Sequence, residues 1–391
     1  MSKVLTSGKL NEVISFLISG GKQVVAPVLS GDKYFYCAIS DSGEAVFDSA
    51  VKSSGSVKEF FFPRHEKICG YCHEGKELVV TDAELFSGEQ VIFGVRPCEA
   101  ASLPILDKVF GWDFQDRFFQ MRRERTTVIT LACEPDDFCF CTSVGLAPDM
   151  ELGADAMLIP AGKDNFEVRI FTDKGSAIFD GNLSETKSTS ASETESLAAT
   201  TATTTATTST ATTANVTDKT TDKAVNLPES KFEAAYVQRY LTDNFADEVF
   251  DRLSIRCLGC GVCTYVCPTC HCFDIVDEGG AFCGERVKNW DSCQFAFFTH
   301  HASGHNPRGN QSARQRNRIQ HKFRIYPEKF GHILCTGCGN CARQCSVTLG
   351  VLPYVEELEK KAKASNPPYS LHLFDRRAEI LDKKTKTIDK G

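Results

Sequence analysis

The sequence has no apolar run approaching the roughly 20 residues a bilayer-spanning helix needs, so no membrane span is expected. Its opening, MSKVLTSGKLNEVISFLISGGKQ, lacks a basic stretch followed by an unbroken apolar core and a small-residue cleavage site. A cytoplasmic protein is the expectation. Positive charge is not in excess either: a formal net charge of −7 over 391 residues argues against a general nucleic-acid binder. No G-x-G-x-x-G follows a strand-like run, so no nicotinamide site is expected on this chain. Gly70, Gly75 and Lys76 nearly spell a phosphate loop. Glu77 stands where a magnesium-binding hydroxyl belongs, however, and its carboxylate would repel phosphate. No general acid, base or nucleophile stands out, and no catalytic residue is expected.

Cysteine, by contrast, is abundant, with 19 in the chain. Cys257, Cys260, Cys263 and Cys267 form a C-x2-C-x2-C-x3-C-P run with Pro268, and Cys335, Cys338, Cys341 and Cys345 repeat the spacing with Ser346 in place of proline. The doubled run is the pattern of two 4Fe–4S clusters in one ferredoxin-like unit, where the last cysteine of each run ligates the other cluster. The expected iron ligands are therefore Cys257, Cys260, Cys263 and Cys345 for one cluster, and Cys267, Cys335, Cys338 and Cys341 for the other. Gly259, Gly261, Gly337 and Gly339 suit loops whose backbone must come close to cluster sulfur. Zinc is the competing metal, but structural zinc needs only four donors, usually as two separated C-x2-C pairs. Disulfides within a run would be strained, and nothing points to secretion. Thiols in a reducing compartment and an anaerobic setting are expected.

Composition divides the chain. Over residues 1–180, β-branched and aromatic runs read as strands at Gln23 to Val28, Tyr34 to Ile39, Glu89 to Val95, Thr127 to Leu131 and Phe166 to Phe171. Helices are expected over Leu10 to Leu17 and Ala100 to Phe110, giving an α/β or α+β N-terminal domain. Residues 181–226 are a Thr/Ala/Ser-rich tract too poor in apolar surface to offset its ordering entropy, and predict a disordered linker or inserted loop. In residues 227–350, Phe232, Tyr236, Val237, Leu241, Phe245 and Val249 keep helical spacing ahead of the first cysteine run. The long insertion between the runs favours an α-helical ferredoxin-like domain with two clusters. Residues 351–391 read as a C-terminal helix and tail.

CLGCGVCTYVCPTCHCFDI, RVKNWDSC, ASGHNPR and HKFRIYPEKFGHILCTGCGNCARQC resemble the beta subunits of cytoplasmic sulfhydrogenases and, equally, the A subunit of anaerobic sulfite reductases. FGVRPCEAASLPILDKVF, LACEP and CFCTSVG carry the same resemblance into the N-terminal half. It implies a non-catalytic electron-transfer subunit of an oxidoreductase complex. Its partners would be a flavin- and nicotinamide-binding reductase subunit, which carries the flavin, and a catalytic subunit of the sirohaem or nickel–iron type. The terminal acceptor stays open among sulfite, protons and polysulfide. Two readings of other classes compete: an iron–sulfur redox-sensing regulator, for which no DNA-binding motif is found, and a zinc-stabilised interaction protein.

Further cysteines raise separate questions. Cys98, Cys133, Cys139 and Cys141 follow two expected strands, and would meet as a third cluster if those strands are neighbours; buried, inert thiols are the plainer reading. Cys69 and Cys72 form a lone C-x2-C. Cys270, Cys272, Cys283 and Cys293 surround the first run; a further cluster, or Cys270 as an alternative ligand, competes with the plainer expectation of thiols beside the cluster, with Trp290 shielding it. His300, His301 and His305 read as structural, or as hydrogen-bond donors near a cluster. Arg308, Arg314, Arg316, Arg318, Lys322 and Arg324 read as a solvated helix face, with a docking surface for an acidic partner as the alternative.

Overall fold

The computed structural model describes residues 3–180, 184–185 and 227–365. In chain order the strands of the first half are β1 (Lys3–Thr6), β2 (Gln23–Ser30), β3 (Lys33–Ala38), β4 (His65–Glu74), β5 (Glu77–Asp82), β6 (Gln90–Val95), β7 (Thr126–Leu131), β8 (Ala156–Pro160) and β9 (Asn165–Ile170). Then come β10 (Ser184–Glu185), β11 (Phe273–Gly279) and β12 (Cys283–Trp290). One sheet has the order β10-β1-β9-β8-β7-β6-β2-β3, with β2, β6, β7 and β8 parallel at its centre and antiparallel strands on both flanks.

The central strands are apolar on both faces, as strands covered on both sides must be. Val91 and Phe93 of β6 join Val24, Ile129 and Leu158 under the helix Ser7–Ser19, which buries Leu10, Val13, Ile14 and Leu17. Ile92 and Val95 face the opposite core with Val25, Val128, Phe61, Phe62 and Leu103. Burying each such side chain contributes roughly 1.5–3 kcal/mol. Strict alternation would put Val95 with Phe93. It does not, because the register shifts between Ile92 and Val95 around Gly94, whose φ is 66° and where a Cβ would meet Pro27 Cδ at 2.9 Å. That bulge helps to set how the chain leaves β6 towards Cys98.

The five expected strands and the first helix appear within a few residues of their predicted ends. The second expected helix is divided into Pro97–Ala100 and Leu103–Phe110. The second sheet is the main difference. Its order is β11-β12-β4-β5, antiparallel throughout, so it takes two strands from each side of the Thr-rich tract. Buried charges tie the same junction: Lys288 Nζ lies 2.8 Å from both Glu66 and Asp116, and Arg122 also pairs with Glu66. The near phosphate loop at Gly75 is the turn of the β4–β5 hairpin. Within the tract, Ser184 and Glu185 pair with Val4 and Lys3 at the sheet edge; the rest of residues 181–226, and the tail from 366, lie outside the described residues.

Past the tract, helices Ala234–Asp243, Val249–Ser254, Gln311–Gln320 and Leu352–Ala364 pack around Leu241, Phe250, Ile319, Phe323, Tyr354 and Leu358. Among the described residues no helix is long and apolar enough to cross a membrane.

Candidate metal centre

The two cysteine runs fold alike. Gly259 and Gly261 take φ of 69° and 75°, and a one-turn helix Val262–Tyr265 starts at once; Gly337 and Gly339 take 64° and 74° before Asn340–Arg343. These left-handed turns suit glycine, and space reinforces the demand. A Cβ on Gly261 would stand 2.6 Å from the Phe295 ring, and one on Gly337 would stand 2.5 Å from the Phe140 backbone.

Each run faces a hollow. One is lined by Cys257, Cys260, Cys263 and, from the other run, Cys345. The other is lined by Cys335, Cys338, Cys341 and, from the first run, Cys267. A single zinc ion would draw its donors onto one point at about 2.0–2.3 Å. Among the described residues no three His, Cys, Asp or Glu side chains close in that way. Thiols around a hollow fit a multinuclear cluster.

Polar groups converge on the same spaces. Gln315 Nε2 lies 3.1 Å from Cys257 Sγ, and Lys322 Nζ lies 3.3 Å from Cys267 Sγ. Gln315 Oε1, Arg318 Nε and Thr336 Oγ1 are buried with no hydrogen-bond partner among the described residues. The two donors of that set, Arg318 Nε and the Thr336 hydroxyl, belong to residues lining the hollows, where the sulfur of a bound cluster would accept hydrogen bonds.

The basic stretch is where expectation and structure part most. Arg318 and Lys322 are each 2% exposed, and Lys58 reaches in from the N-terminal half at 2%. Arg318 and Lys322 lie inside because Gln315, Arg318 and Lys322 fall at i, i+3 and i+7 on one face of a helix that runs between the hollows. A π turn over His321–Ile325 continues that helix. No carboxylate pairs with Arg318 or Lys322 among the described residues; the Lys322 amine bonds Leu334 O and Thr269 Oγ1 at 3.0 Å. Burial opposes charge on Lys322, and the thiolates of Cys267, Cys270 and Cys335 override it, so its pKa stands above the ordinary value. Cys267 is well below the usual thiol range, through a hydrogen bond from Cys270 and the charge of Lys322 against the cost of burial. Burial pushes Cys263 and Cys335 up to about 12. Filling these hollows with metal therefore releases protons.

The N-terminal quartet gathers beside the second run. β6 and β7 are parallel neighbours, so Cys98 and Cys133 leave adjacent strand ends. Burial, Cys133 and Glu99 together push Cys98 well up; Cys141 is pushed up to about 11 by burial, Cys133 and Cys139. Phe140 N donates to Gly337 O at 2.9 Å, and Arg343 pairs with Asp136 at 2.7 Å, clamping this loop onto the second run.

Other expected site residues lie elsewhere. Cys283 leaves the group around the first run: it faces Cys72 across β12 and β4, and the two are joined as a disulfide, which the thiol-only expectation missed. Trp290 is built into the N-terminal core, donating Nε1 to Phe62 O at 2.9 Å. His300, His301 and His305 are exposed on a loop. The imidazoles that are partly buried beside cysteines are instead His271 and His321, which the sequence reading did not single out; the signal available was His271 between two cysteines.

The 4Fe-4S dicluster domain family matches residues 256–349. The sulfhydrogenase 2 subunit beta of Pyrococcus furiosus is 27% identical, over 86% of this chain and 92% of that protein. No solved structure matches the chain. With two cysteine-lined hollows inside the matched segment, the chain is an iron–sulfur electron-transfer protein, a homologue of the sulfhydrogenase beta-type subunits with a 4Fe-4S dicluster domain.

Proposed function

We propose that the chain carries single electrons through two 4Fe–4S clusters in an α-helical ferredoxin-like domain spanning residues 227–350. It would stand between a flavin- and nicotinamide-binding reductase subunit and a catalytic subunit of the sirohaem or nickel–iron type. The observation that carries this reading is the pair of hollows, each lined by three cysteines of one run and the fourth of the other. A bound cluster supplies one-electron chemistry that a hydride donor lacks, which is why a flavin on a partner is needed to divide the electron pair. The chain's own residues hold, shield and tune. Thiols orient the irons, and Arg318 and Lys322 supply buried positive charge. The loop over residues 136–141 covers the second run.

The first run supports the docking side of the proposal. Cys260 is exposed, and Leu258 and Ile255 beside it are 70% and 83% exposed, an apolar rim where a partner's own redox group would approach. Cys98 lies next to Cys338, so a third cluster held by Cys98, Cys133, Cys139 and Cys141 would extend the path. Anaerobically purified protein is expected to hold at least about eight irons and about eight acid-labile sulfides per chain. Stoichiometric zinc without sulfide would overturn the electron-transfer reading.

Glu99 gives a pH signature. It is buried between Ser56 and Val57, which donate to Oε2 at 2.6 and 3.1 Å, and burial raises it to about 7 against those bonds and Arg96. It also faces the second run, with Asn340 Nδ2 at 3.5 Å. Reducing the adjacent cluster adds negative charge and raises Glu99 further, so reduction takes up a proton. The midpoint potential of that cluster should fall as pH rises through about 7, by at most about 59 mV per unit. Glu99→Gln should flatten this slope in a redox titration followed by electron paramagnetic resonance.

A further inference from the structure

A third cysteine-lined hollow opens beside the second. Three parts of the chain meet there: Cys270, His271 and Cys272 just past the first run, Cys293 just past β12, and His321 with Lys322 on the π turn. The loops are pinned together, since Asp291 N donates to Cys272 O at 3.0 Å and Lys58 Nζ donates to Cys270 O at 3.0 Å. Cys270 and Cys293 are each 8% exposed. The Cys272 and Cys293 thiols share a hydrogen bond, and Gln294 Nε2 lies 3.3 Å from Cys293 Sγ.

Neither tandem ligand set uses any of these three thiols. Their surroundings nevertheless repeat those of the tandem sites. Arg318 lines all three hollows, and Lys322 lines the second and third. Buried cations without a carboxylate call for negative charge nearby, because an uncompensated buried charge costs several kcal/mol. Inert packed thiols would bring no such charge.

A fourth donor is in place. His271 Nδ1 lies 3.0 Å from Thr269 O, and a carbonyl oxygen only accepts, so Nδ1 carries the proton. Nε2 is left with its lone pair, the arrangement usual for a metal-bound imidazole whose other nitrogen is held by a carbonyl. We infer that Cys270, Cys272, Cys293 and His271 hold a further 4Fe–4S cluster. The inference rests on reading the tandem runs as iron–sulfur sites. The cluster would adjoin the second one, since Cys267 and Cys270 share a thiol hydrogen bond and Lys322 borders both spaces. Electrons reaching the second cluster would then have a branch towards the face carrying Cys272, apart from the exposed first run.

The test uses the full chain purified and crystallised without oxygen, with anomalous maps at the iron and zinc edges. Iron in this hollow as well as in both tandem hollows supports the inference. Iron in the tandem hollows alone overturns it and leaves the proposed function standing. Zinc in this hollow overturns it as well, and no iron in any of them overturns both readings. A double variant, Cys272→Ser with Cys293→Ser, gives a second readout: a loss of about four irons and about four sulfides relative to wild type, with the paramagnetic signals of the tandem clusters retained. Full wild-type iron content in the folded double variant overturns the inference. If the double variant does not fold, the wild-type maps decide.

Discussion

Changing Cys267 to serine should strip or degrade the site lined by Cys335, Cys338 and Cys341 while the Cys257, Cys260 and Cys263 site stays filled. Cys267 follows the first run in sequence but lines the second hollow, where Lys322 Nζ and Thr269 Oγ1 each lie 3.3 Å from its sulfur. The Lys322 ammonium favours a thiolate, and the thiol is already well below its usual pKa through Cys270 and Lys322. A serine hydroxyl there would stay protonated and bind iron poorly. The expected loss is about one iron, giving a three-iron form, or about four if the site empties. Cys345→Ser should do the reverse and damage the Cys257, Cys260 and Cys263 site, whose hollow it lines. Paramagnetic resonance of both variants, with a structure of each to identify the damaged site, separates the cases. Damage by Cys267→Ser to the site of its own run would mean locally ligated clusters and would sink the crossed arrangement.

The crossed lining, with Cys345 in the first hollow and Cys267 in the second, accords with a spacing that is a local property of each run, and a cubane with one remote ligand would give that spacing its chemical meaning. The parallel core strands are legible for a similar reason: Gln90 to Val95 and Thr126 to Leu131 are apolar on both faces. The second sheet was not legible. β5 is exposed along its whole length and β11 nearly so, which leaves little apolar alternation to read. Their partners also lie roughly 200 residues apart in sequence, as with Cys72 and Cys283, separated by 211 residues. The basic stretch misled for a physical reason. Charge at helical spacing normally marks a solvated face, and only a counter-charge inside the protein reverses that. The cysteine runs were that counter-charge, and Gln315, Arg318 and Lys322 at i, i+3 and i+7 were the face turned towards it.

Arg318→Met should lower the midpoint potentials of both tandem clusters. Arg318 lines both of their hollows, and its own bonds are long: Nη1 to Gly350 O and Nη2 to Cys263 O, each 3.4 Å. Methionine keeps much of the apolar stem while removing the charge, so the main change is electrostatic. A cluster gains one negative charge on reduction, and a nearby cation stabilises that state more than the oxidised one. For unit charges ~8 Å apart in an effective dielectric of ~20, the interaction is about 2 kcal/mol. For one electron that is on the order of 90 mV. Arg318→Lys should keep much of the charge and shift the potentials far less. Redox titrations of wild type and both variants, followed by paramagnetic resonance, measure this directly. The result that would count against the assignment is an Arg318→Met protein with full iron content whose two potentials match wild type. The guanidinium would then be screened from the clusters, and the hollows it lines would not be where the electrons reside.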